Sequence, residues 1–243
     1  MAYIISELHG QYGGKIAVAE QMILQSKFGG ADAVKGQLYS EDFDKNSMDG
    51  DSPGDFLSLT FEELKSLKEY ADMLHIDFFA SFFDEERMQW GIDLDLPYLK
   101  IANWISREKP ELVEKSIATG KKVIISLNNE QAKKGKPYEA ENVIYLYTEP
   151  LYPGRLEDMH IPNFVDSWFS GYSDHTIGNT AATYALARGA KILEKHFTVG
   201  KSWQKTKEGG HACSMDVDDL RQLHEFARGF SILEYKKVFQ YES

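Results

Sequence analysis

The sequence predicts an α/β protein, a single-domain TIM (β/α)8 barrel spanning residues 1–243, on three observations. Short β-branched or aromatic runs alternate with longer amphipathic stretches nearly to the C-terminus. Eight of those runs read as strands, and several are continuously apolar, as strands covered on both faces must be. The length of 243 residues also suits a closed eight-fold barrel, typically about 250 residues. The rival is an open doubly wound sheet, and the strand count favours closure.

In order, strands are expected at 3–6, 33–35, 76–81, 98–102, 122–126, 143–147, 170–172 and 191–194. Helical spacing joins Ile16, Ala19, Met22, Ile23 and Ser26, and Gly29-Gly30 supplies the stop. Thr60 and Glu63 form a capping box ahead of Leu64, Leu67 and Tyr70. Near the end Leu220, Leu223, Phe226, Ala227 and Phe230 share a face, with Ser214 or Asp216 as N-cap. Region 151–169 has the weakest helical pattern, and 40–55 reads as a polar loop without a period. Phe78-Phe79 and Phe82-Phe83 are expected in the core, and Lys133-Lys134 and Lys236-Lys237 on solvated faces.

Composition narrows the function. A net charge of −11 argues against a nucleic-acid partner, whose footprint would be a basic face. It leaves room for a small anion, because a few lysines in a cleft set the local field. No apolar run approaches the roughly 20 residues of a membrane span, and the N-terminus lacks a basic leader. The single cysteine, Cys213, is expected as a small buried side chain and suits a reducing cytoplasm.

In a barrel the active-site mouth is built at the C-terminal ends of the strands. Those ends carry Glu7, Lys35, Ser81, Lys100, Asn103, Ser126, Ser173, His175 and His196. His175 and His196 lie 21 positions apart, at the ends of neighbouring strands, and two converging neutral imidazoles suit a divalent metal. The lysines and hydroxyls suit a phosphorylated, carboxylated substrate. No G-x-G-x-x-G follows the first strand, so a dinucleotide site is not expected.

The segments Gly30-Ala31-Asp32-Ala33-Val34-Lys35, Phe78-Phe79-Ala80-Ser81-Phe82-Phe83-Asp84-Glu85 and Tyr98-Leu99-Lys100-Ile101-Ala102 carry a family resemblance. So do Gly171-Tyr172-Ser173-Asp174-His175-Thr176 and Gly189-Ala190-Lys191-Ile192-Leu193-Glu194-Lys195-His196-Phe197-Thr198. In this order the chain resembles the barrel domain of the sialic acid synthase family. Its members condense phosphoenolpyruvate with N-acetylmannosamine or a related sugar aldehyde. The resemblance implies that His175 and His196 hold a divalent cation, typically Mn2+, with Mg2+ or Co2+ as substitutes. It implies that Lys35, Ser81, Lys100, Ser126 and Ser173 bind phosphoenolpyruvate, with Asn103 at the position of a family serine. Glu7 matches the family's catalytic acid. A homodimer is implied too, as is a C-terminal domain over the partner's barrel. Here the barrel is expected without that domain.

The departures cluster where the sugar would be read. Gln11-Tyr12-Gly13-Gly14 replaces the family's Asn-His-Asn-Gly, and Pro150 stands near a polar position of the sixth loop. Glu208-Gly209-Gly210-His211-Ala212-Cys213-Ser214 replaces Gly-Pro-Asp-His-Lys-Ala-Ser. Plain structural roles compete for the same residues. The histidines could be hydrogen-bonded in the rim, and the lysines paired with Glu7 or Glu194. The serines could cap the following helices. His9 and His211 could be a third metal ligand or surface loop residues. A non-catalytic metal- or anion-binding barrel, or another aldolase or lyase on the same scaffold, remains the functional alternative.

Overall fold

Eight parallel strands run β1 (Tyr3–Glu7), β2 (Ala33–Leu38), β3 (Asp77–Phe82), β4 (Leu99–Ile101), β5 (Val123–Leu127), β6 (Val143–Thr148), β7 (Gly171–Asp174) and β8 (Ile192–His196). Each pairs with the next, and β8 pairs with β1, so the sheet closes in chain order. The computed structural model describes residues 1–39, 58–203 and 209–240. The expected loop at 40–55, Glu208 and the side chains of Lys236 and Lys237 lie outside the described residues.

All eight strands stand where the apolar runs place them. Several reach one to three residues further toward their C-terminal ends than the pattern predicts, notably β2, β7 and β8. The expected runs close at or next to the polar strand-end residues, but the ladder continues. Glu7 still pairs with both Lys35 and His196, and Asp174 with Lys195. Pairing survives because those side chains meet partners inside the fold, so no charge is buried alone.

The crossovers follow the expected signals. Helix α1 (Ile16–Gly29) ends at Gly30, whose φ of 95° lets its N–H reach back to the last carbonyls. Helix α2 (Phe61–Met73) begins at the Thr60–Glu63 capping box. Asp84 caps α3 (Glu85–Asp93). The fourth crossover is split into α4 (Asn103–Glu108) and α5 (Pro110–Ala118), with Pro110 opening the second piece. The fifth is only α6 (Asn129–Ala132), a single turn under an Asn128–Gln131 capping box. Between β6 and β7 one 3-10 turn, Leu156–Asp158, stands where the helical pattern was weakest. Helices α7 (Thr180–Ala187), α8 (Gly209–Ala212) and α9 (Val217–Gln240) complete the ring. Asp216, not Ser214, caps α9, accepting from the N–H groups of Asp218 and Asp219.

Side chains alternate across each strand. The outward set, including Val34, Phe78 and Leu193, packs under the helices, and all three are buried. Inside, Ile5, Phe79, Ile124 and Leu146 fill an apolar layer. Two residues further along the same strands the interior turns polar, with Glu7, Ser81, Ser126 and Thr148, all buried. That change of character marks the mouth. Among the described residues no helix is long and apolar enough to cross a membrane.

Candidate active site

The polar layer is a chain of alternating charges across the barrel. Lys35 Nζ lies 2.9 Å from Glu7 Oε2 and 3.2 Å from Glu194 Oε2, and Lys100 Nζ lies 3.6 Å from Glu194 Oε1. Lys100 also donates to Ser126 Oγ at 2.8 Å, and Ser173 Oγ donates to Glu194 Oε1 at 2.8 Å. The four ionisable side chains are at most 3% exposed, and their formal charges cancel. The structural pairing of the lysines with Glu7 and Glu194 is therefore present in the resting site.

The two lysines are not equally satisfied. Burial disfavours the charge on Lys35, but two close carboxylates, Glu194 and Glu7, outweigh it and raise its pKa. Burial dominates at Lys100. Glu194 opposes it only partly and Lys35 adds to it, so the ammonium is pulled down to about 8. Burial also works against both carboxylates. At Glu7 it is overcome by Lys35 with His196 and His9, at Glu194 by Lys100 and Lys35, and both stay below the usual carboxylate range. An anion entering this mouth thus finds its least-compensated cation at Lys100, between Ser126 and Glu194.

His175 and His196 sit on the Glu7 side with ring centroids 5.3 Å apart. His175 Nδ1 is 3.1 Å from the carbonyl of Glu149, which can only accept. The proton therefore belongs on Nδ1, and Nε2 keeps its lone pair. Burial holds this ring neutral, below the ordinary histidine range. His196 Nε2 lies 3.6 Å from Glu7 Oε2. Two buried imidazoles, one with its tautomer set by a backbone carbonyl, fit the donor set of a divalent cation. Among the described residues no group of three or more His, Cys, Asp or Glu is arranged to hold a metal ion.

His211 is buried, and His9 is partly buried in the loop that follows β1. His9 stacks on His196 at 4.7 Å, and His211 meets His9 edge-on at 5.8 Å. His9 holds a left-handed backbone, φ 45°, uncommon for a side chain of this size. Burial, with His196 next, lowers its pKa to about 3, so it is neutral. The ring of Tyr152 lies 4.2 Å from that of His175 and 5.8 Å from that of His196.

The serines divide. Ser126 and Ser173 line the cleft together with Glu7, Lys35, Lys100 and Asn103. Ser81 is fully buried, its Oγ has no hydrogen-bond partner, and it is not among the cleft-lining residues. None of the three caps a helix, since Asp84, Asn128 and Asn179 hold the N-cap positions that follow.

Asn103 lines the cleft in an orientation set from behind. The backbone N–H of Asn128 donates to Gln131 Oε1, and Ser106 gives its proton to backbone carbonyls and accepts from Gln131 Nε2. Gln131 therefore presents its oxygen to Asn103, which donates Nδ2–H at 2.7 Å. Oδ1 is left buried with no partner.

Sequence reasoning missed Gln37, Thr148 and Tyr152, which also line the cleft. Gln37 donates to Glu7 Oε1, and Thr148 donates to the carbonyl of Ser173. Extending strand alternation from Lys35 would have found Gln37, and from Leu146 would have found Thr148. Tyr152 lies in a loop with no period to reveal it.

The profile of the NeuB family matches residues 22–236. An uncharacterized protein of Methanocaldococcus jannaschii is 31% identical over 91% of this chain and 68% of its own. The N,N'-diacetyllegionaminic acid synthase of Legionella pneumophila is 26% identical over 93% of this chain and 71% of its own. Among solved structures, an N-acetylneuraminic acid (sialic acid) synthetase from Leptospira borgpetersenii superposes with a TM-score of 0.80 at 26% identity. That match covers 96% of this chain and 85% of the other. With a profile match across most of its length and a relative above 30% identity, this chain belongs to the NeuB family.

Proposed function

We propose that this protein condenses phosphoenolpyruvate with an N-acetylmannosamine-like sugar aldehyde. The products are a nonulosonic or related 2-keto-3-deoxy acid and phosphate. The observation that carries the reading is the joining of an under-compensated Lys100 with Ser126 and Ser173, in one mouth with His175, His196 and an ionised Glu7. Family membership supports it, and relatives are named as synthases of legionaminic, pseudaminic and N-acetylneuraminate-9-phosphate products.

In this reading Lys100, Lys35, Ser126 and Ser173 take the phosphate and carboxylate of phosphoenolpyruvate by charge-assisted hydrogen bonds. His175 and His196 would hold a divalent cation, Mn2+ or a substitute such as Mg2+ or Co2+. Bound there, such an ion supplies Lewis acidity toward an aldehyde oxygen. C3 of phosphoenolpyruvate attacks the aldehyde carbon. Water then adds at C2, and phosphate leaves as that tetrahedral carbon collapses to the ketone. Glu7, ionised and next to His196, orients the water and accepts its proton. Asn103 differs from the expected anion ligand. With one of its two N–H groups committed to Gln131 and its Oδ1 without a partner, it offers an acceptor oxygen, which suits a hydroxyl better than an ionised phosphate.

The test is phosphate release from phosphoenolpyruvate with Mn2+ across a panel of N-acyl hexosamines, with Glu7→Gln alongside. Release that depends on both Mn2+ and aldose is expected. Glu7→Gln should lower kcat by about 10²–10⁴ with phosphoenolpyruvate affinity held within a few-fold. Tight phosphoenolpyruvate binding without turnover on any aldose would favour a binding-only barrel, and pyruvate formation without condensation would favour a lyase.

A further inference from the structure

Behind the two histidines, on the outer face of the same strands, lies a second buried ion pair that the chemistry above does not use. Lys195 Nζ contacts Asp174 Oδ2 at 2.8 Å, with side chains 1% and 0% exposed. The same ammonium donates to the carbonyl of Thr176 at 2.6 Å, and Asp174 Oδ1 accepts from the Thr176 N–H at 2.9 Å. Asp174 and Lys195 are register partners between β7 and β8. Alternation turns Ser173, Glu194 and His196 inward and Asp174 and Lys195 outward, toward the helices.

The placement is specific. Residues 174 and 176 bracket His175, and Lys195 immediately precedes His196. One ammonium therefore grips the chain on both sides of the first histidine from the strand that carries the second. The backbone is tied at the same points, since the carbonyl of His175 accepts from Gly154 N at 2.8 Å and that of His196 from Met215 N at 2.8 Å. A pair of apolar side chains would fill the same space and often costs nothing in stability relative to a buried ion pair. What apolar side chains lack is direction. They would not hold Thr176 and Asp174 at a fixed distance from β8.

We propose that the Asp174–Lys195 pair is a positioning clamp that fixes the separation of His175 and His196, and thereby their joint affinity for a divalent cation. The proposal rests on the metal reading of the two histidines. It makes Asp174 and Lys195 positioning residues, which touch neither metal nor substrate.

The test uses metal alone. Mn2+ affinity is measured from the free-ion electron paramagnetic resonance signal, and Cu2+ reports how many imidazole nitrogens bind, through its superhyperfine pattern. Lys195→Met is compared with the double variant Asp174→Leu/Lys195→Met, which leaves no buried charge unpaired and so carries the decision. Leu112→Ala, on α5 and outside the cleft, is the control for a general loss of stability. Folded clamp variants should bind Mn2+ at least tenfold more weakly and lose the two-nitrogen Cu2+ pattern. Leu112→Ala should lower Tm while keeping wild-type Mn2+ affinity. A double variant that binds Mn2+ within twofold of wild type would make the pair a stability element only and overturn the proposal. Wild type that binds neither ion, or a Cu2+ signal without imidazole nitrogens, would overturn the metal reading itself and the clamp with it.

Discussion

Lys100 and Lys35 sit in the same buried layer, yet their environments push them in opposite directions. Lys35 has carboxylates at 2.9 and 3.2 Å, while Lys100 has one, Glu194 at 3.6 Å, together with the Ser126 hydroxyl and, at 3.3 Å, the carbonyl of Ile101. In the function proposed above, Lys100 is the cation that an incoming anion completes, and its lowered pKa of about 8 gives that role a signature. The groups facing it are Glu194, Lys35 and Glu7. Sulfate, whose own charge is fixed across the range, is the suitable probe. Its affinity should be level below pH 8 and fall above it as the free ammonium loses its proton. Lys100→Met should bind sulfate at least tenfold more weakly, with a flattened pH profile. Calorimetry between pH 6.5 and 9.5 decides, and an undiminished affinity at pH 9.5 would remove Lys100 as the principal anion ligand.

At the scale of elements, β7 leads directly into His175 and β8 ends on His196, and Gly171 lets the two strands close. A Cβ on Gly171 would lie 1.9 Å from the carbonyl oxygen of Ile192, a backbone atom that cannot swing aside. Gly171→Ala should separate the two strands and cost about 1–3 kcal/mol of stability, as overpacking does. Denaturant unfolding measures it; a loss below a few tenths of a kcal/mol would mean that the strands are not tightly apposed there. The same strands show what the sequence can and cannot reveal. The apolar runs located every strand, because a strand buried on both faces has to be apolar over most of its length. They ended one or two residues short of Glu7, Asp174 and His196, because hydrophobicity carries no record of a polar residue that finds its partner on another strand. Glu7, the lysines and the histidines could be named as strand-end residues. Their mutual pairing could not, nor could Asn103's orientation, which depends on Gln131 in the next crossover and Ser106 one turn on. Tyr152 had no periodic context at all.

For the molecule as a whole, the site concentrates groups whose charge states differ between folded and unfolded chains. His9 and His175 have lowered pKa values in the fold, chiefly through burial. The unfolded chain binds more protons than the native one as pH drops below about 6.5, so stability is lost from there downward. Glu7 and Glu194 are held below their ordinary range, so their contribution is present above about pH 4.3 and is lost as pH falls further. Tm should therefore decline gently from about pH 6.5 and more steeply below about 4.3. His9→Gln should remove part of the first phase. A Tm unchanged between pH 7 and 5 would contradict the neutral, buried assignment of these rings. The net charge of −11 does not count against the proposed anion site, since the field in the mouth is set by groups within a few ångströms.

Helix α6 is one turn long, and its capping box looks excessive for so short a helix. Gln131, however, serves two masters: its amide closes the cap and also dictates which end of Asn103 faces the mouth. Local folding grammar and ligand chemistry are thus written in the same side chain. Grafting a longer helix into this crossover, a natural way to stiffen the barrel, would release Asn103 to rotate its N–H inward. The mouth would then change from hydroxyl-accepting to anion-donating along that wall, with no residue of the wall itself altered.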